Sequence, residues 1–133
     1  MYRTRKKTRM TLFAWILSGL LALAFFGAGA SKLLTARPKL LENPQMAWAS
    51  DFSNRQVKTI GTLEVLGAVG VILPWRLGIA EVLTPLAATG LAAIMVGALL
   101  VHRRRGELKA ALPVNSVLLA LAVSVAAIRF AQL

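Results

Sequence analysis

The chain has 133 residues, 57% of them hydrophobic, and a mean hydropathy of +0.67. That apolar share exceeds the usual globular value, and so short a chain lacks the polar mass to hide its hydrophobic runs in one water-soluble domain. A formal charge of +11 suits nucleic acid in a soluble protein, but here the sixteen Lys and Arg fall outside the apolar runs and no recognition motif accompanies them, which excludes a nucleic-acid partner.

Met1 to Met10 is a basic segment carrying Arg3, Arg5, Lys6, Lys7 and Arg9. From Thr11 to Ser31 there is no charge, and a hydrocarbon core of about 30 Å takes roughly 20 helical residues to cross. The basic start, the apolar middle and the small residues Ala28-Gly29-Ala30-Ser31 share the layout of a secretory signal. The apolar run is longer than a signal core, however, and three more membrane-grade segments follow it. An uncleaved first span is therefore expected.

The connection from Lys32 to Lys58 is mixed in character. Pro38 and Pro44 interrupt it, whereas Leu40, Leu41, Met46, Trp48 and Phe52 suit short helices lying on the membrane surface or capping the bundle. The second span is expected at 59–75 and the third at 77–101, joined tightly at Pro74-Trp75-Arg76. Pro85 requires either a kink in the third span or a helix that begins near Thr84. His102-Arg103-Arg104-Arg105-Gly106-Glu107 ends that span. The fourth, at 110–128, carries Pro113 in its first turn, where a missing N–H costs little.

None of these segments alternates apolar and polar residues, and only helices or closed barrels satisfy the backbone in hydrocarbon. The predicted fold is thus all-α: an integral-membrane four-helix up-down bundle over 11–133, preceded by the basic segment 1–10. Lys and Arg are shared almost evenly between the two faces. Only the dense basic start favours a cytoplasmic amino terminus.

Ionisable groups inside a span are expensive, about 2.5–3.5 kcal/mol for Asp, Lys or Arg at mid-helix on insertion scales. Glu64 is the leading example here. It should face the bundle interior with a partner, or be protonated. Antiparallel helices place the end of the first span, after the small residues Gly27, Gly29 and Ser31, beside the start of the second. Lys32 is the expected partner, with a polar ligand site and a register-fixing ion pair as the two readings. The same topology brings His102 and Asn115 to that face of the membrane, so Lys32, Glu64, His102 and Asn115 form the candidate ligand-binding set. Glu81 lies near the opposite interface, where local pairing suffices. Gly67 and Gly70, and the series Gly90, Ala93 and Gly97, read as packing grooves. With no cysteine, one histidine and five scattered carboxylates, the chain offers neither thiol chemistry nor a metal-ligand set.

The runs FGAGASKL (Phe26 to Leu33), IGTLEVLGAVGVILP (Ile60 to Pro74), TPLAATGLAAIMVGALLVHRRRGE (Thr84 to Glu107) and NSVLLALAVSVAAIRF (Asn115 to Phe130) resemble, in order and spacing, the DoxX-like family of small prokaryotic membrane proteins. The resemblance leaves out the basic start. It implies a four-helix membrane bundle in a prokaryotic cytoplasmic membrane. Some relatives are subunits of a thiosulfate:quinone oxidoreductase and others accompany oxidative-stress enzymes, so the resemblance also implies a redox partner subunit and a quinone as the candidate cofactor. A shared fold does not transfer a reaction. The alternatives are a non-catalytic protein that binds or moves a small hydrophobic molecule, and a structural partner of another membrane protein.

Overall fold

The structure, a computed structural model, describes residues 2–133, with side chains from Arg9 onward. The side chains of Arg3, Arg5, Lys6 and Lys7 in the basic start lie outside the described residues. The elements in order are α1 (Tyr2–Leu34), α2 (Arg37–Glu42), a 3-10 helix (Pro44–Asp51), α3 (Asn54–Leu77), α4 (Leu83–Arg104) and α5 (Leu108–Ala131). Among the described residues there is no strand. The helices α1, α3, α4 and α5 are each long and apolar enough to cross a membrane. Their packing closes a ring in which α1 meets α3, α3 meets α4, α4 meets α5 and α5 returns to α1. This is the expected all-α membrane bundle.

Each spanning helix buries a narrow stripe spaced three and four residues apart. On α1 it runs Ala14, Ser18, Leu21, Phe25, Gly29, Lys32, and on α3 Val57, Gly61, Glu64, Ala68, Val71. On α4 it is Thr84, Ala88, Leu91 and Met95, and on α5 Ala122, Val125, Ala126 and Arg129. Spacing of this kind keeps one side of a helix inward over several turns. Leu21, Phe25, Ala68, Val71, Ala88, Leu91, Met95, Ala122 and Val125 meet in one core. Outward, Leu12, Phe13, Ile16, Leu23, Leu63, Leu66, Leu86, Leu100, Val117 and Val123 are exposed. A surface this apolar is solvated by lipid.

The junction of α3 and α4 differs from expectation. Pro74, Trp75 and Arg76 belong to α3, which ends where Gly78 adopts φ of 67° and donates to the carbonyls of Pro74 and Trp75. Only a residue tolerant of positive φ makes this left-handed cap cheaply. α4 then begins at Leu83 rather than Leu77, so Pro85 sits in its first turn, where no kink is needed. Pro74 inside α3 has no N–H to offer the carbonyl of Gly70 four residues earlier. Thr84 Oγ1 donates to that carbonyl at 3.0 Å, which satisfies it and ties α4 to α3. α5 begins at Leu108, so Pro113 lies inside it, beyond the first turn.

The connection between α1 and α3 folds into the two short helices and closes one end of the bundle. Leu40, Ala49 and Val57 form a second small core, flanked by Leu41, Met46, Trp48 and Phe52. Arg37 Nη2 donates to the carbonyl of Phe52 at 2.8 Å. α3 starts with a capping box: Ser53 Oγ accepts from Gln56 N at 3.1 Å, and Gln56 Oε1 accepts from Ser53 N at 2.9 Å. A cap of this type is worth about 1 kcal/mol.

The small-residue series divide. A Cβ on Gly67 would meet Leu91, and one on Gly70 would lie 2.9 Å from Ala87 Cβ, so both line the α3–α4 contact. Gly90, Ala93 and Gly97 are exposed, and a Cβ on Gly90 or Gly97 would meet nothing within 4 Å. Within this bundle they pack no groove, because the inward stripe of α4 runs through Ala88, Leu91 and Met95 and leaves them on another side of the helix.

Candidate functional site

Glu64 is 2% exposed and Lys32 9% exposed, and they form the only ion pair among the described residues that joins two spanning helices. Lys32 Nζ lies 2.9 Å from Glu64 Oε1 and 3.2 Å from Oε2. The pair sits where α1 and α3 approach closely. A Cβ on Gly29 would stand 2.6 Å from the carbonyl oxygen of Gly61, and one on Gly61 would be 2.9 Å from Lys32 Cβ. Two glycines therefore let the backbones near each other, and the proximity allows a short ammonium–carboxylate contact. Trp48 covers the pair from the capping segment, its ring centroid 6.0 Å from Lys32 Nζ. Lys58 Nζ donates to the carbonyls of Lys32 and Thr35, the latter at 2.7 Å. In this way it occupies acceptors that the end of α1 leaves without helical partners.

His102 and Asn115 do not join this pair through any hydrogen bond. His102 Nδ1 lies 3.2 Å from Glu107 Oε2 across the turn between α4 and α5. Arg105 Nε donates to Glu107 Oε1 at 3.0 Å, and Arg105 Nη1 to Asp51 Oδ2 at 2.6 Å. The turn is thereby fastened to the 3-10 helix, and a carboxylate five residues away claims the imidazole. Asn115 is half-buried, and its Nδ2 has no partner. Among the described residues no three His, Asp or Glu side chains gather as metal ligands.

Hydrogen bonds from Arg105 and then His102 hold the Glu107 carboxyl below the usual carboxylate range. A carboxyl lowered on folding adds stability above its unfolded pKa and loses that contribution as pH falls through the folded value. Acidification below about pH 4.5 should therefore loosen the turn between α4 and α5. Thermal melts of the detergent-solubilised protein across that range should show an acid-side decline, and the decline should be shallower in Glu107→Gln.

A family model described as the DoxX-like family matches residues 16–125. The chain belongs to the DoxX-like family. No curated protein and no solved structure matches it. The match spans Lys32, Glu64, His102 and Asn115, so all four candidate residues lie on the part of this DoxX-like chain that carries the family pattern. Trp15 and Arg129 lie beyond it.

Those two residues belong to a second polar feature, at the opposite end of the bundle, that the sequence reading missed. Arg129 has no exposed surface. Its guanidinium carbon stands 4.7 Å from the Trp15 ring centroid and 4.5 Å from that of Trp75. Nη1 donates to Gln132 Oε1 at 2.9 Å, while Nε and Nη2 have no acceptor. Glu81 is exposed and forms no ion pair among the described residues, so the local pairing expected of it is absent. Burying a guanidinium costs several kcal/mol. Two cation–π contacts return roughly 0.5–2 kcal/mol each, which leaves part of that cost uncovered. The available signal was the spacing from Ala122 through Ala126, which carries Arg129 onto the inward stripe of this DoxX-like bundle.

Proposed function

We propose that this protein is an accessory subunit of a redox system in a prokaryotic cytoplasmic membrane, with the Lys32–Glu64 pair as the polar end of a quinone-binding site. The observation that supports this reading is a desolvated ion pair inside two membrane-spanning helices. Such a pair stabilises a fold little more than well-packed apolar residues do, so its presence calls for another role. The groups suit the ligand. An ammonium has three donors, and with two directed at the Glu64 carboxylate a third is left for a quinone carbonyl. The indole of Trp48 offers a flat face beside it. A bound quinone would supply the electron chemistry. The chain itself would hold and orient the ring, with Glu64 as ligand anchor or proton acceptor and Lys32 as its counter-charge.

Exchanging the charges, as Lys32→Glu with Glu64→Lys, tests this role. The exchanged protein should recover the thermal stability that either single change removes. Its affinity for a short-tailed quinone analogue, measured by calorimetry in detergent, should nevertheless fall about tenfold, the worth of one hydrogen bond to a charged donor. Recovery of both fold and affinity would reduce the pair to a device that fixes helix register. If the unaltered protein binds no quinone, and native mass spectrometry finds a lipid or metabolite that excess quinone does not displace, the chain is a carrier or binder of another hydrophobic molecule.

A further inference from the structure

The uncommitted chemistry of this bundle is at the end opposite Lys32 and Glu64. There a buried guanidinium packs against two indoles and keeps two nitrogens without acceptors. The identity of those nitrogens matters. Nε and Nη2 form one edge of the guanidinium, the parallel fork that matches two oxygens of a carboxylate or phosphate. The other edge is already engaged, since Nη1 donates to Gln132. Rings of Trp15 and Trp75 approach the guanidinium, so the free fork is its remaining polar outlet.

The surroundings supply room and charge. The two tryptophans that clamp Arg129 also line an open cavity of about 550 Å³, and Arg76 is its third wall. Two spanning helices line it, α1 through Trp15 and α3 through Trp75 and Arg76, and the buried Arg129 of α5 packs against the two tryptophans. Glu81 is exposed, and no carboxylate among the described residues lies within 4 Å of the guanidinium. One cation and two indoles thus border a space open to the outside, and a second, buried cation packs against the same indoles, an arrangement that suits a negative group carried at the membrane face.

We propose that Arg129 and Arg76, framed by Trp15 and Trp75, bind a phosphate or carboxylate oxyanion at this face of the membrane, with the phosphate of an anionic lipid as the source the location favours. The site is separate from the Lys32–Glu64 pair and stands whether or not that pair binds a quinone.

Fluorescence quenching tests it. The full chain carrying Trp48→Phe, so that only Trp15 and Trp75 emit, is reconstituted in phosphatidylcholine vesicles containing increasing fractions of brominated phosphatidylglycerol or brominated phosphatidylcholine. The anionic lipid should quench at about a tenfold lower fraction, in keeping with charge-assisted hydrogen bonds. Arg129→Gln should remove that advantage, and Arg76→Gln should reduce it. Arg129→Lys, which keeps the charge without the fork, should also weaken it and covers the case in which the glutamine variant does not fold. Arg104→Gln takes one charge from the other end of the bundle and should leave the advantage intact. Inorganic phosphate that abolishes the advantage identifies a soluble oxyanion as the occupant, and phosphate without effect identifies the lipid. Equal quenching by the two lipids would overturn the proposal. So would an advantage that persists in folded Arg129→Gln or falls equally in Arg104→Gln, because Arg129 would then be a packing residue in a generally basic protein.

Discussion

Lys32→Ala should destabilise the bundle by about 3–5 kcal/mol, because it strands a carboxylate that is 2% exposed within two spanning helices. Glu64→Ala should cost less. The ammonium it strands sits in the last turns of α1, and its long stem can carry the charge toward the headgroups. The double change Lys32→Met with Glu64→Leu should cost least of the three, since apolar residues of similar volume replace a buried pair with little loss. Reversible unfolding in mixed detergent micelles would measure all three. A double variant that loses as much stability as the two single changes added together would show that the two charges are not energetically coupled, and the ion pair would then be incidental to the fold.

Gly29→Ala should cost at least 1–3 kcal/mol, while the same change at Gly27 should be neutral or stabilising by about 0.5–1 kcal/mol through helix propensity. The contrast lies in the neighbours. A Cβ at Gly29 would lie 2.6 Å from the Gly61 carbonyl oxygen and 2.8 Å from Val65 Cγ2, whereas a Cβ at Gly27 meets nothing within 4 Å. A backbone carbonyl on a packed helix cannot turn aside as a flexible side chain can. α1 and α3 must therefore move apart, and the Lys32–Glu64 contact lengthens with them. The same unfolding assay compares the two variants, and equal stability at the two positions would contradict the tight α1–α3 crossing.

The pairing of Lys32 with Glu64 was legible in the sequence because two coarse facts suffice to produce it. One is the length of each apolar run, and the other is the up-down order that antiparallel neighbours must adopt. The convergence of His102 and Asn115 on that face rested on the same order alone, and neither residue hydrogen-bonds to the pair. Topology assigned His102 to the right end of the bundle, but the nearby Glu107 in the same turn captures the imidazole, and a local contact closes at less entropic cost than a distant one. The glycines make the same point. Gly27 and Gly29 are equally small, yet only one faces α3, and a rotation of a fraction of a turn decides which.

Composition and periodicity determined by themselves that the chain is a bundle of four membrane-spanning helices and that Glu64 needs a partner. Water, lipid and backbone hydrogen bonding act on each segment alone, so each segment carries that information. The tertiary structure alone decided that Gly78, rather than Pro74-Trp75-Arg76, makes the turn, that Thr84 satisfies the carbonyl Pro74 leaves free, and that Arg129 packs against both Trp15 and Trp75. Each of those outcomes depends on the relative rotation and depth of helices distant in sequence, which side-chain packing fixes and no single segment encodes.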